Sequence, residues 1–281
     1  MDNRNGEPRT AQCGRSRRRR NRPWYIKLGI VASSVLLFVS LFMLGSSLLG
    51  LAKSQAAFEN LAVRVEEEKN SPEPANAAEP TTEDTTAPSP YAKLKEENGD
   101  LFGWVKIAGT KLDYPVMYTP KEPQYYLHRA FDKSGSVSGV PLLDGSYTEG
   151  GNHYLVYGHN MKNGTMFHAL LDYAEPEFWK EHPTITFDTV QESGTYTVIG
   201  AFYSKVYYQD ETDVFRFYDY PDLSDPVLFA EYMDNVAASS LYDTGETATY
   251  GDTLLTLVTC SYHTENGRFV VVARKCETVY S

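Results

Sequence analysis

A cysteine and an arginine near the C-terminus have the types and spacing for nucleophilic chemistry. Two apolar, β-rich runs, residues 253–259 and 269–273, are separated by a polar sequence with turn chemistry and therefore predict a β-hairpin. Cys260 ends the first run and Arg268 begins the second, so the hairpin would place them together at one end of the sheet. A neighbouring cation favours the thiolate, and guanidinium N–H groups can hold a developing oxyanion.

The same residues have two plainer interpretations. Cys260 could be a small buried apolar residue and Arg268 a solvated charge at a loop end. Cys260 could also form a disulfide with Cys276, because this region is expected to lie outside the cell. In the hairpin, however, Cys276 lies roughly 26 Å from the loop end at ~3.3 Å per residue. A disulfide requires Cα atoms within about 7 Å, so the hairpin predicts that Cys260 is a free thiol.

A cysteine nucleophile needs a proton shuttle, which is almost always histidine. Of the six histidines in the chain, His159 follows a predicted strand through Gly158, which allows a sharp exit. Its imidazole is therefore expected at a strand end, as the Cys260 thiol is. His263 is nearer to Cys260 in sequence, but a flexible loop would orient it poorly. We therefore expect His159 to be the shuttle.

Composition and motifs exclude several other classes of function. The net charge is −11, and residues 1–27 carry nine basic against two acidic residues, so the rest of the chain has a net charge of −18. This excess of acidic residues argues against nucleic-acid binding by the folded part. The sequence contains no HExxH motif, no CxxC motif and no glycine-rich phosphate loop. We expect neither a metal site nor a cofactor.

The N-terminal region predicts a single membrane span. Residues 17–20 are four consecutive arginines, and residues 30–51 are 22 uncharged residues, enough to cross ~30 Å of hydrocarbon as a helix. Arginines on the N-terminal flank favour a cytoplasmic N-terminus. We expect a basic cytoplasmic tail over residues 1–23 and a transmembrane helix over 24–52. A cleaved signal peptide is the alternative, but the apolar run is too long for a typical one.

The remainder divides into a connecting segment and a folded domain. Residues 53–90 are expected to form an extracellular stalk and linker, with a helix that could continue to residue 69 and a proline-rich, acidic, disordered spacer after it. Residues 91–281 predict many short strands, typical of a mainly β barrel or sandwich. Helices are expected at residues 91–98, 166–171 and 226–240.

Three motifs in this domain resemble the sortases, bacterial cysteine transpeptidases anchored in the membrane. These are TLVTC (256–260), Arg268 eight residues later, and YGHNM (157–161). The segment YYLHRAFDKSGSVSGVPLLD (125–144) and a helical insertion near residues 204–250 are similar to class B sortases in particular. The resemblance covers residues 91–275. It implies an eight-stranded antiparallel β-barrel with an N-terminal helix and the helical insertion beside the active-site groove.

The resemblance also implies a role for each site residue. Cys260 would be the nucleophile, His159 the proton shuttle and Arg268 the clamp for the oxyanion or the substrate backbone, while Thr259 and Leu127 would contact the substrate. The implied reaction cleaves a C-terminal sorting motif of secreted proteins. It then joins them, through an acyl-enzyme, to an amine of a lipid-linked peptidoglycan precursor.

Two alternative functions stay open on the sequence. A pilus-polymerising sortase would use a pilin lysine as the acceptor. A non-catalytic surface receptor or adhesin would use the same β-scaffold without chemistry at Cys260.

Overall fold

The computed structural model describes residues 24–70 and 89–276. The predicted cytoplasmic tail (1–23) and most of the predicted disordered spacer (71–88) lie outside the described residues. The chain divides into two compact units, Met1–Leu48 and Leu49–Ser281.

The described part of the first unit is the beginning of one long helix, α1 (Trp24–Lys69). The helix contains an 18-residue window with a mean hydropathy of 2.3, none of it buried, so it is long and apolar enough to cross a membrane. Ser34 and Ser46 donate their hydroxyls to carbonyls one turn earlier in the helix, at 2.9 Å each. The predicted apolar helix is therefore present, and it continues to Lys69 without a break.

In the second unit, the last turns of α1 pack against the β-domain. Phe58, Leu61 and Val65 recur at helical spacing on one face and are at most 7% exposed within the main hydrophobic core. The Phe58 ring meets the Tyr114 ring edge-on at 5.0 Å between centroids. The helical segment that the sequence predicts as a stalk is thus part of the folded unit.

A buried carboxylate fixes the end of α1. Asp188 is 1% exposed, and its Oδ2 lies 2.9 Å from Lys69 Nζ and accepts a 2.5 Å hydrogen bond from the Tyr91 hydroxyl. Its Oδ1 accepts from the Gly194 amide at 3.2 Å. Because an unpaired buried carboxylate is costly, these bonds hold Lys69 and Tyr91 against the barrel.

Eight strands form a closed barrel in the order β1-β2-β3-β4-β7-β8-β6-β5. Their bounds are β1 Leu101–Lys106, β2 Asp113–Met117, β3 Leu142–Leu143, β4 His153–Gly158, β5 Thr184–Thr189, β6 Thr195–Lys205, β7 Leu254–Cys260 and β8 Gly267–Lys275. The predicted mainly β, eight-stranded barrel is confirmed. One detail is corrected, because the β2–β3 and β4–β7 pairs are parallel and the barrel is therefore mixed rather than antiparallel throughout.

Short helices precede or connect the strands. They are α2 Ala92–Glu97, α3 Pro176–Glu181, α4 Pro226–Ser239 and three 3₁₀ segments at Tyr125–His128, Phe167–Ala174 and Phe217–Asp219. The predicted helices at residues 91–98 and 226–240 correspond to α2 and α4. The one predicted at residues 166–171 is a 3₁₀ segment instead. Helix α3 was not predicted, although Pro176 at its first turn is a helix-start signal.

The C-terminal strands separate two cores. In β8, Phe269, Val271 and Ala273 join the main core, whereas Val270 and Val272 join a second core that includes Phe229, Tyr232 and Val236 of α4. Both faces of β8 are therefore covered, which explains its continuous apolar run. These three residues form the buried face of α4, while Leu228 is 43% exposed.

Candidate active site

The β7–β8 hairpin places Cys260 and Arg268 directly opposite each other as register partners. Both are half-buried and line a cleft of about 530 Å³. The predicted juxtaposition of thiol and guanidinium is therefore present. It follows from the antiparallel pairing, in which the last residue of one strand faces the second residue of the next.

Cys276 lies at the other end of this hairpin. It follows β8, whose Arg274 pairs with Leu254 at the start of β7. The Cys276 Sγ lies 3.0 Å from the Thr197 hydroxyl, and both Cys276 and Cys260 are free thiols. This register agrees with the prediction that Cys260 and Cys276 do not form a disulfide.

Parallel pairing of β4 with β7 brings His159 to the same end of the barrel. The register aligns Gly158 with Thr259, so the next residues, His159 and Cys260, leave their strands side by side. Two parallel strands have their C-terminal ends at the same edge, which an antiparallel pair would not give. His159 also lines the cleft.

One hydrogen bond sets the tautomer of His159. Its Nε2 lies 2.9 Å from the backbone carbonyl oxygen of Leu127. Because a carbonyl only accepts, Nε2 carries the hydrogen, and Nδ1 is left to take or give a proton. The ring also stacks on His128 at 5.7 Å between centroids.

The loop that follows His159 closes back on it. The Phe167 amide donates to the His159 carbonyl at 2.9 Å. The Phe167 ring occupies the place where a side chain at Gly158 would begin, so only glycine fits there. Met166 has a φ of +59°, and its amide donates to the buried Tyr114 hydroxyl at 3.0 Å. These contacts fix the exit of the chain from β4.

Asn160, which was not predicted as a site residue, joins the two strand ends. Asn160 Nδ2 donates to the Cys260 carbonyl oxygen at 2.9 Å, and its Oδ1 lies 2.8 Å from His168 Nδ1. Its position directly after His159, within the YGHNM motif, was the available signal.

Arg268 is held at the turn of the hairpin. Its Nη1 donates to the carbonyls of Asn266 (3.2 Å) and Gly267 (2.9 Å). Within the described residues, the hydrogen bonds of this guanidinium use Nη1 alone, which leaves N–H groups on Nε and Nη2 for a ligand.

Tyr157 also lines the cleft and was not predicted as a site residue. Burial raises the pKa of its hydroxyl and the Asp144 carboxylate raises it further, while the Arg268 guanidinium opposes the shift. The phenol therefore stays neutral and can act as a hydrogen-bond donor in the cleft.

The two predicted substrate contacts lie at the cleft and also support the site. Thr259 lines the cleft, but it is 1% exposed, and its hydroxyl donates to the Gly158 carbonyl at 2.8 Å. Leu127 lines the cleft, and its carbonyl holds His159. Substrate contact by either residue stays a prediction.

Of the six histidines, all within the described residues, His159 alone lines this cleft. The His263 Nδ1 lies 2.9 Å from the Ser261 hydroxyl, and its ring packs on Tyr203 at 4.7 Å between centroids. Across residues 24–70 and 89–276, no group of three or more histidine, cysteine or acidic side chains is arranged to hold a metal ion.

Comparison with known proteins identifies the family. The family model described as the sortase domain matches residues 105–276, more than half of the chain. The chain belongs to the sortase family. As a member of it, this sortase is a cysteine transpeptidase.

The relatives of this sortase are class B enzymes. It is 29% identical to sortase B of Listeria monocytogenes over 186 residues, which cover 63% of this chain and 70% of the relative. It is 28% identical to sortase B of Staphylococcus aureus over 188 residues, which cover 66% and 73% of the two chains. The prediction of a class B sortase is confirmed.

Solved structures of class B sortases have the same fold as this chain. A Staphylococcus aureus sortase B–substrate complex superposes with a TM-score of 0.67 at 23% identity, covering 82% of this sortase and 99% of that chain. A mutant form of Clostridium perfringens sortase B superposes with a TM-score of 0.60 at 28% identity, covering 67% and 87%. The barrel of this sortase is therefore the fold of class B enzymes.

Proposed function

We propose that this sortase cleaves a C-terminal sorting motif of secreted proteins and attaches them to an amine of the cell-wall peptidoglycan precursor. The observation that carries the proposal is the register pair of Cys260 and Arg268, with His159 beside it at one end of the barrel. A thiol, an imidazole with a free Nδ1 and a guanidinium with free N–H groups are the parts that acyl transfer requires.

In the first half-reaction, the Cys260 thiolate attacks the carbonyl carbon of the scissile peptide bond. N–H groups of Arg268 stabilise the negative charge that develops on the carbonyl oxygen. Protonated His159 gives its proton to the leaving amine, the C–N bond breaks, and a thioester remains on Cys260. In the second half-reaction, the acceptor amine attacks the thioester, His159 takes its proton, and Cys260 leaves as the thiolate.

Support for the substrate class comes from the relatives. The Staphylococcus aureus structure is that of sortase B with a substrate. The cleft of this sortase is lined by apolar and polar side chains around Cys260, which suits an extended peptide.

Support for membrane anchoring comes from α1 and the arginines before it. We assign residues 1–23 to a cytoplasmic tail, 24–52 to the span, 53–90 to an extracellular stalk and disordered linker, and 91–281 to the catalytic domain. The helical part of the stalk packs on the barrel through Phe58, Leu61 and Val65. Protease added to intact, wall-stripped cells should then remove the chain after about residue 53. Recovery of the full-length chain, while other surface proteins are digested, would contradict this orientation.

The reaction is tested by incubating the protein with a library of sorting peptides and measuring its mass. The wild type should gain the mass of an acyl group and release the C-terminal fragment of the peptide. Cys260→Ala should give neither product, because the thioester requires the sulfur. Cys276→Ala is the matched control and should behave as the wild type. No acyl adduct with any peptide would exclude the transpeptidase reaction and favour a binding role for the barrel.

A further inference from the structure

Two consecutive residues at the end of the 3₁₀ segment Tyr125–His128 contact the imidazole of His159 in different ways. The Leu127 carbonyl accepts the Nε2–H at 2.9 Å and so holds one edge of the ring. The His128 ring lies against its face, with 5.7 Å between centroids and 25° between the two ring planes. This is the one aromatic contact of the His159 ring in the part of the chain that the structure describes.

The two contacts fix different movements of the imidazole. A hydrogen bond at a single ring nitrogen leaves the ring free to turn about the axis of that bond. A flat side chain against the face of the ring opposes this turning, because the two faces would lose contact as the ring tilts. The Leu127 carbonyl therefore sets where Nε2 lies, and the His128 ring sets the plane of the imidazole.

The segment that carries His128 is held in place, although its side chain is exposed. The His128 carbonyl accepts from the Ser136 amide at 3.0 Å. Two residues earlier, the Tyr126 ring is fully buried. Its hydroxyl accepts from Asn98 Nδ2 at 2.7 Å and donates to Asp100 Oδ2 at 2.8 Å. The His128 ring is thus presented to His159 from a fixed backbone.

The plane of the imidazole matters for the proposed reaction. Nδ1 exchanges its proton along a direction that lies in the ring plane, and a general acid must come within about 2.6–3.2 Å of the atom that receives the proton. A ring that tilts about its Nε2 bond carries Nδ1 away from the leaving amine. Small errors of this kind lower the rate of the chemical step without weakening substrate binding.

His128 acts on the reaction through another residue. It lines a neighbouring surface pocket and is not among the residues that line the catalytic cleft around Cys260. The sorting peptide and the thioester therefore lie on the other side of His159 from this ring. A contribution of His128 to the rate has to pass through the orientation of His159.

We propose that His128 is a positioning residue of this sortase, whose ring holds the plane of His159 so that Nδ1 faces the amine in both half-reactions. The inference rests on the proposed transpeptidation, in which His159 is the proton shuttle. The role requires a flat ring at residue 128 and does not require its nitrogens. Phenylalanine should therefore serve in place of histidine, whereas alanine should not.

Three variants of the full-length protein in detergent test this role. His128→Phe keeps the flat ring, and His128→Ala removes it while the Leu127 carbonyl remains. His182→Ala is the matched control, because it also removes a histidine ring that packs on an aromatic ring, that of Phe178 at 4.4 Å between centroids. His182 lines neither the cleft nor the neighbouring pocket.

The measurement is the rate of acyl-enzyme formation by rapid quench, at increasing concentrations of a sorting peptide that the wild type cleaves. His128→Ala should lower the maximal rate roughly 3- to 10-fold and leave the peptide concentration at half-maximal rate unchanged. His128→Phe should stay within about twofold of the wild type in both quantities. His182→Ala should behave as the wild type. Thermal melting of His128→Ala should change little, because the side chain is exposed.

The outcomes separate this role from the proposed function. Acyl-enzyme formation by His128→Ala at the wild-type rate would overturn the positioning role and leave transpeptidation intact. An equal loss in His128→Phe would overturn it as well, because the nitrogens of residue 128 would then be needed. An equal loss in His182→Ala would show that the effect does not come from the contact with His159. A wild type that forms no acyl-enzyme with any sorting peptide would overturn transpeptidation, and the positioning role with it.

Discussion

Asn160 and Cys260 are joined by a hydrogen bond of 2.9 Å from the side-chain amide of the first to the carbonyl oxygen of the second. Asn160 directly follows His159, so this bond connects the end of β4 to the end of β7. His168, with its Nδ1 2.8 Å from the Asn160 Oδ1, fixes which way the amide faces. The positions of imidazole and thiol are therefore coupled through Asn160.

Asn160→Ala should loosen this coupling. We expect kcat/KM for a sorting peptide to fall about tenfold, which corresponds to ~1.4 kcal/mol, because the two groups would no longer be held together. Unfolding stability should fall by only about 1 kcal/mol, the usual contribution of one hydrogen bond. Asn235→Ala, which removes a side-chain bond of 2.8 Å on the exposed side of α4, is the control. Equal effects of the two substitutions on kcat/KM would remove Asn160 from the site.

His159→Ala and His263→Ala test which histidine is the proton shuttle. His159 lines the cleft with Cys260, whereas His263 is nearer to Cys260 in the sequence. His159→Ala should reduce acyl-enzyme formation by roughly 100- to 10,000-fold, the range for loss of general acid–base catalysis. His263→Ala should retain most of the activity, because His263 does not line the cleft. Rapid-quench measurement of the acyl-enzyme distinguishes them. A His263→Ala loss as large as that of His159→Ala would show that the shuttle is misassigned.

Arg268→Lys tests whether the role of Arg268 depends only on its positive charge or also on the planar shape of its guanidinium. Lysine keeps the charge but loses the planar fork of N–H groups, so steady-state transpeptidation should fall ~100- to 1000-fold. Thermal melting should change little, since Arg268 is at the loop end of the hairpin. Arg274→Lys is the same substitution on the same strand, where the arginine lies 3.5 Å from Glu246 and not in the cleft. Activity of Arg268→Lys within a few-fold of the wild type would make Arg268 a solvated loop-end charge.

We expect the buried imidazole of His153 to make the folded protein less stable at acidic pH. Its Nδ1 lies 2.6 Å from the Tyr220 carbonyl oxygen, so Nδ1 carries the hydrogen, and its Nε2 accepts from the Thr256 hydroxyl at 2.8 Å. Burial lowers the pKa of His153 to about 4, against weaker opposing effects from the Tyr220 carbonyl and the Asp144 and Asp222 carboxylates.

Because the unfolded chain binds this proton near pH 6.5 and the folded chain only near pH 4, stability should fall as the pH drops between those values. The full loss from this group is roughly 3 kcal/mol. Urea unfolding of the wild type and of His153→Gln over pH 4–7 measures it. The variant should start less stable and show a shallower decline, whereas parallel declines would rule out His153 as the source.

Local sequence determined the β7–β8 hairpin, the apolar helix α1 and one pair of site residues. Two apolar runs separated by a short polar turn leave little choice of register, so the antiparallel contact of Cys260 with Arg268 follows from their eight-residue separation. The continuous charge-free run of α1 likewise determined a helix without reference to the rest of the chain. In both cases the interacting groups are close in sequence.

Only the tertiary structure decided which distant groups meet. The chain passes through β5, β6 and α4 before β7 pairs with β4, and no local pattern specifies that this pairing is parallel. From the residues alone, His159 was a candidate because it ends a strand, and the YGHNM resemblance strengthened it. The parallel register is what places it beside Cys260. The hydrogen bond of Asn160 and the packing of α1 arise in the same way, because each depends on long-range contacts that form when the barrel closes.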